Sequence, residues 1–241
     1  MSALTKLKED PELHKYLVQR VGKTHLRQRI GIETEHVADK FGQGRHFFHI
    51  ENWRTAASVI TWILKLTGLS ERGEANVLDF QVRTNEIVLP LLPDAFAGFT
   101  VLHLSDLHLD SLDRFPDHLA AAIEDLEYDL CVLTGDYLFE THGPHQKAMD
   151  GLQRVCRAID TDIYAVLGNH DSIFMAKPIE SMGIRLLLNE HVCIDREGAT
   201  LYLAGIDDPH YFSADNQEKA YDGIPDESTS LLLAHSPEIY R

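Results

Sequence analysis

The chain has 241 residues, 44% apolar and 25% charged, a composition ordinary for a soluble globular protein and a length sufficient for one large domain with an appendage. Its 38 acidic residues against 22 basic ones leave a formal net charge of −16, which argues against the clustered Lys and Arg of a broad nucleic-acid footprint. Cys131, Cys156 and Cys193 are widely spaced and form neither an even disulfide framework nor a C-x-x-C motif, and Met1 to Pro11 shows no apolar secretory run, so the expected location is the reducing cytoplasm.

In chain order, Asp10-Pro11-Glu12 supplies a cap, a proline for the first helical position and an acid for the first turn, and Gly22 is a stop signal. This predicts a helix over about 11–21. A second, polar helix is expected over about 24–40. From Trp53 to Leu69 apolar residues crowd around Arg54 and Lys65; at ~1.5 Å per residue such a helix falls short of the ~30 Å hydrocarbon core. Two uses fit it: packing on the following domain, or lying on a membrane surface through Trp53 and Trp62. Runs over Val77 to Val82 and Glu86 to Leu91 flank Thr84-Asn85 in the manner of a β-hairpin. Pro90 and Pro93 mark a boundary, which makes residues 1–96 an N-terminal helical extension and 97–241 a separate domain.

Beyond Gly98 short apolar runs alternate with helical stretches. Strands are expected at Phe99–Leu104, Leu130–Leu133, Ile163–Leu167, Ile184–Leu188, Leu201–Ala204 and Leu231–Ala234, with helices at about Pro116–Glu127 and Pro144–Ala158. The β-α-β-α-β order predicts a largely parallel, covered α/β sheet.

Polar clusters stand at the carboxyl ends of four of these runs, where open α/β sheets gather their ligands: Asp106-Leu107-His108, Gly135-Asp136, Gly168-Asn169-His170-Asp171 and His235. Each alone has an ordinary explanation as a turn, a surface pair or a packed histidine. Gly-Asn-His-Asp is the most specific, because three adjacent polar groups after a glycine that permits a sharp turn require a reason. Carboxylate, imidazole and amide oxygen without thiolate favour Mn, Fe or Zn. A carboxylate can bridge two ions, and two metals can clamp the attacking and leaving oxygens of an in-line displacement. His103, inside an apolar strand, reads as a packed histidine, and His118, His142, His145 and His191 as solvated ones. Gly205-Ile206-Asp207-Asp208-Pro209-His210 reads as a structural turn, with a substrate-facing loop as the alternative.

In that order the four clusters resemble the calcineurin-like metallophosphoesterases over about Phe99 to Arg241. The resemblance implies a layered α/β/β/α sandwich and a dinuclear centre of two divalent metal ions. Asp106 and His108 would bind the first metal, Asp136 would bridge both, and Asn169 and His235 would bind the second. His170 would face the phosphate and protonate the leaving oxygen, with Asp171 orienting it. The implied activity is hydrolysis of phosphate mono- or diesters by a two-metal-activated hydroxide. Within the family the likeness is to bacterial membrane-associated members acting on lipid-like phosphates, which implies a small or lipid-like phosphoester substrate and peripheral contact with the inner membrane. The family's later Gly-His-x-His does not occur before Arg241, so the resemblance implies a domain incomplete at its C-terminus. The alternative it leaves is a non-catalytic scaffold that binds metal or a partner.

Overall fold

The computed structural model describes residues 3–41, 60, 62–141 and 143–239. Helices α1 (Ala3–Glu9), α2 (Pro11–Val21) and α3 (Lys23–Phe41) open the chain, followed by α4 (Leu69–Leu78). A parallel sheet then forms from β1 (Val101–Leu104), β2 (Leu130–Leu133), β3 (Ile163–Ala165) and β4 (Arg185–Leu186), in that spatial order. Helices α5 (Phe115–Ile123), α6 (Gln146–Cys156) and α7 (Ala176–Ser181) make the crossovers. A second sheet has the order β5 (Glu190–Arg196), β6 (Ala199–Gly205), β7 (Ser230–Leu233), antiparallel then parallel, with α8 (Gln217–Tyr221) between its last two strands.

The period-2 alternation of the central strands builds two cores. Cys131 and Leu133 of β2, with Ala165 and Leu167, face the helices. Leu130 and Val132, with Tyr164 and Val166, face Val192, Leu203 and Leu233 of the second sheet. On that sheet's outer side His191 bonds the carbonyl of Ala220 in α8 (2.9 Å). The layers are thus α/β/β/α, as expected.

The N-terminal helices belong to the first core. Asp10 caps α2 by accepting from Leu13 N (2.9 Å), and Leu13, Leu17, Val21, Leu26 and Ile30 join the cluster that holds Leu133 and Leu186. Arg20 binds Glu180 at the end of α7 (2.6 Å) and also Glu190 and the Leu186 carbonyl. Burial on this scale fixes α2 and α3 to the sheet rather than leaving them as an arm.

Three local expectations differ from the structure. The hairpin over residues 77–91 does not form: Val77 and Leu78 end α4, and 79–89 carry no strand. Nearly all of that segment's side chains are exposed, Val82, Ile87 and Val88 among them, so it has no face to bury. Most of the predicted helix over 53–69 lies outside the described residues; residues 62–66 are helical, and Trp62, Ile63 and Leu66 are exposed rather than packed on the domain. His103 is exposed on β1 with its Nε2 2.8 Å from the Thr134 hydroxyl, and His191 is half-buried in a strand.

Candidate metal centre

The loops after β1, β2, β3 and β7 meet at one end of the sheets. The first two run side by side: Asp106 N donates to Gly135 O (3.1 Å), His108 N to Asp136 O (2.9 Å) and Leu109 N to Tyr137 O (2.8 Å). This pairing turns the backbone into the left-handed region at Asp106 (φ 53°), His108 (φ 41°) and Asp136 (φ 56°). Non-glycine residues held there cost free energy and cluster at functional sites.

The second and third loops interlock still more closely. A Cβ on Gly135 would stand 2.7 Å from Gly168 Cα, and one on Gly168 would stand 2.6 Å from Asp136 N. Tyr137, fully buried, donates its hydroxyl to Val166 O (2.8 Å), and His170 N donates to Asp136 Oδ1 (2.9 Å). Gly168 therefore admits Asp136 by lacking a side chain; its φ is not positive, so the expected sharp turn is not its function.

Around the nearly buried Asp136, ligand atoms converge in two sets. His108, Asp136 and His170 offer atoms all within 4.8 Å of one another, and so do Asp106, Asp136 and His235. Asn169 joins the second set, its Oδ1 2.9 Å from His235 Nε2. Asp136 is common to both, as a bridge requires. Among the described residues the two groups put Asp106 with His235 and His108 with His170.

All three histidines are held by carbonyls of one segment, residues 134–139. His108 Nδ1 donates to Leu138 O (2.9 Å), His170 Nδ1 to Phe139 O (2.6 Å) and His235 Nδ1 to Thr134 O (2.8 Å). With Nδ1 so engaged, each ring turns Nε2 toward the site, as a lone pair for a metal when the ring is neutral or as an N–H donor when it is protonated. His235 Nε2 then faces Asn169 Oδ1 and, at 3.4 Å, Asp136 Oδ2. Two acceptors facing one ring nitrogen require either a second proton on that ring or a cation among them, and the donor set fits divalent ions such as Mn, Fe or Zn. Sequence reading missed these orienting carbonyls because backbone groups carry no residue-type signal.

The Asp171 carboxylate meets backbone amides, whereas the His170 ring bonds the Phe139 carbonyl. The fully buried Asp171 carboxylate accepts from Asp136 N (2.7 Å), Gly168 N (2.8 Å), Tyr137 N (2.9 Å) and Leu138 N (3.3 Å). Those four amides belong to the two interlocked loops, so Asp171 fastens the floor of the site. Burial, and then the nearby Asp136 charge, push its carboxyl up to about 6 against the opposing amides. The Gly205–His210 turn is structural: Asp207 and Asp208 are fully buried, Asp208 accepts from Tyr211 N and Phe212 N (both 2.7 Å), and exposed His210 pairs with Glu238 (2.7 Å).

Residues 99–239 match the family model described as calcineurin-like phosphoesterase. YkoQ, an uncharacterized metallophosphoesterase of Bacillus subtilis, is 30% identical over 177 residues, covering 70% of this chain and 64% of its own length. A transmembrane protein with metallophosphoesterase domain from Danio rerio is 28% identical over 200 residues, 75% of this chain and 44% of its own; the Bos taurus protein of that description is also 28% identical, over 201 residues. The chain spans less than two thirds of the length of these relatives. The matched region contains β1 to β7 and every candidate ligand, and the chain belongs to the calcineurin-like phosphoesterase family.

Proposed function

We propose that the protein hydrolyses phosphate mono- or diesters at a dinuclear site formed by Asp106, His108, Asp136, Asn169 and His235. The observation that carries this reading is the sharing of Asp136 between two ligand sets. Bound there, divalent Mn, Fe or Zn would polarise the phosphoryl group and supply hydroxide near neutral pH.

The side chains have separable tasks. His108 and His235, fixed through Nδ1, offer Nε2 as ligands, and Asp136 turns Oδ2 toward both His235 and His170 while Oδ1 holds the His170 amide. His170 lies at the mouth, its Nε2 3.9 Å from Asp136 Oδ2 and its ring edge-on to His108 with centroids 5.2 Å apart. From Nε2 it delivers a proton to the departing alkoxide, and the Phe139 carbonyl keeps the ring aimed. The small or lipid-like class of substrate follows from the acidic chain and from the exposed apolar side chains between Ile60 and Leu91, which suit peripheral contact with the cytoplasmic membrane surface.

The test is hydrolysis of bis-p-nitrophenyl phosphate and of an alkyl phosphodiester by metal-loaded protein, with metal content measured alongside. Asp136→Ala should lose both metal and turnover. His170→Ala should keep its metal and lose about 10²–10⁴-fold in turnover of the alkyl ester. Equal metal loss in the two variants would make His170 a ligand instead, as its place in the His108 set allows. No metal-dependent hydrolysis of either ester by the unaltered chain would overturn the reading.

A further inference from the structure

We propose that α3, which lies outside the matched domain, is a working part of the site, with Arg29 and Glu33 as positioning residues for the loop that bears Asn169 and His170. This rests on the hydrolase reading above.

The contacts fall on the three residues after His170. Arg29 Nη2 donates to Asp171 O (3.0 Å), Ser172 Oγ donates to Glu33 Oε2 (2.7 Å), and Ile173 N donates to Glu33 Oε1 (2.9 Å). Arg29 is fully buried, with Nε 3.4 Å from Asp207 Oδ2 and its guanidinium 3.7 Å over the Phe212 ring. His25, one turn earlier, donates from Nε2 to the same Asp207 oxygen (2.5 Å). A buried guanidinium is costly to desolvate and weak support for stability in itself, since apolar residues of like size often serve as well; its best-attested use is to fix one arrangement among several.

The arrangement fixed here is that of Asp171. Its carbonyl is held by α3, and its carboxylate is held by the amides of Gly168, Asp136, Tyr137 and Leu138. Any shift of α3 is therefore passed through one residue to the amide of Asp136 and to the neighbouring His170. Ser172 and Ile173 carry the same constraint from the other side of the turn. A misplacement near 1 Å at a reacting group can cost about 10²-fold, and His170 is the group whose aim depends on this turn.

Loss of aim at a proton donor has a signature that general loosening lacks. A p-nitrophenolate departs without protonation, whereas an alkoxide needs the proton. Glu33→Ala, which removes both acceptors, and Ser172→Ala, which removes the opposite partner, should each lower kcat on the alkyl phosphodiester about 10–100-fold. On bis-p-nitrophenyl phosphate both should stay within about threefold of the unaltered protein, with metal content and KM unchanged. Arg29→Lys gives a third variant that keeps the charge. Parallel losses on both esters together with lost metal would reduce α3 to scaffolding and overturn the proposal, as would unchanged kcat on the alkyl ester in folded Glu33→Ala and Ser172→Ala. If the unaltered protein cleaves neither ester, the hydrolase reading fails and this proposal with it; if it cleaves both, only the assignment to α3 is at stake.

Discussion

Gly135 and Gly168 touch backbone to backbone, and the Asp136 carboxylate lies against the second of them. Gly168→Ala would place a methyl group 2.6 Å from Asp136 N and against its Oδ1, a clash that only movement of Asp136 relieves. The expected result is at least tenfold weaker metal binding with a matching loss of turnover, read by metal titration. Gly31→Ala on α3 is the control, since nothing lies within 4 Å of its new carbon; it should be neutral or stabilise by about 0.5–1 kcal/mol. The residue types at the site were legible because metal chemistry restricts them. What Gly168 and Asp171 do was not, because the reason for each lies some 30 positions away in the Asp136 loop, and no local pattern reports which amides will face a carboxylate.

Among the elements, apolar runs revealed the central strands because both faces of a covered sheet are buried. They failed at β5, whose sequence Glu-His-Val-Cys-Ile-Asp-Arg alternates with an outer, half-covered face, and at α7 and α8, of six and five residues, too short for a helical period. Helix α3 was legible as a polar helix, but not as a buried one: Arg29 reads as solvent-facing until Asp207, 178 positions later, comes to meet it. Burial alone would raise the Asp207 carboxyl, yet the Arg29 guanidinium and the His25 hydrogen bond outweigh it, and it sits below its ordinary value. The folded protein therefore binds this proton less readily than the unfolded chain. Its stabilisation is complete above the unfolded value near pH 4 and is lost as pH falls through the lowered folded one. Asp207→Asn should lose up to about 3–5 kcal/mol at pH 7, because buried Arg29 loses its ion-pair partner and keeps only the charge of Glu33 nearby. Denaturant midpoints at pH 7 and pH 3 should show the gap between the two proteins narrowing in acid.

Across the whole molecule, exposed apolar surface concentrates in one stretch. Between Ile60 and Leu91 stand Trp62 at 63%, Leu66 at 66% and Val88 at 81% exposure, while Phe139 beside the candidate metal site is one of few comparable residues elsewhere among the described residues. No described helix is long and apolar enough to cross a membrane. Insertion of Trp62 into a lipid surface would account for its exposure, since such a side chain gains roughly 1.5–3 kcal/mol on burial. Trp62→Glu should accordingly reduce sedimentation with zwitterionic vesicles about tenfold or more; equal sedimentation of the two proteins would exclude this residue as an anchor.

The left-handed backbone at Asp106, His108 and Asp136 also bears on how the sequence would drift. Each position costs the fold roughly 1 kcal/mol that glycine would recover, against a total stability of about 5–15 kcal/mol for a domain. At Asp106 little is lost in exchange, since its side chain is exposed and bonds the neighbouring Ser105 hydroxyl. A library selected only for resistance to proteolysis should therefore enrich Asp106→Gly, whereas one selected for turnover should purge it. Lineages released from the reaction would then lose their ligands by gaining robustness, and glycine at position 106 would be an early mark of a member that no longer catalyses.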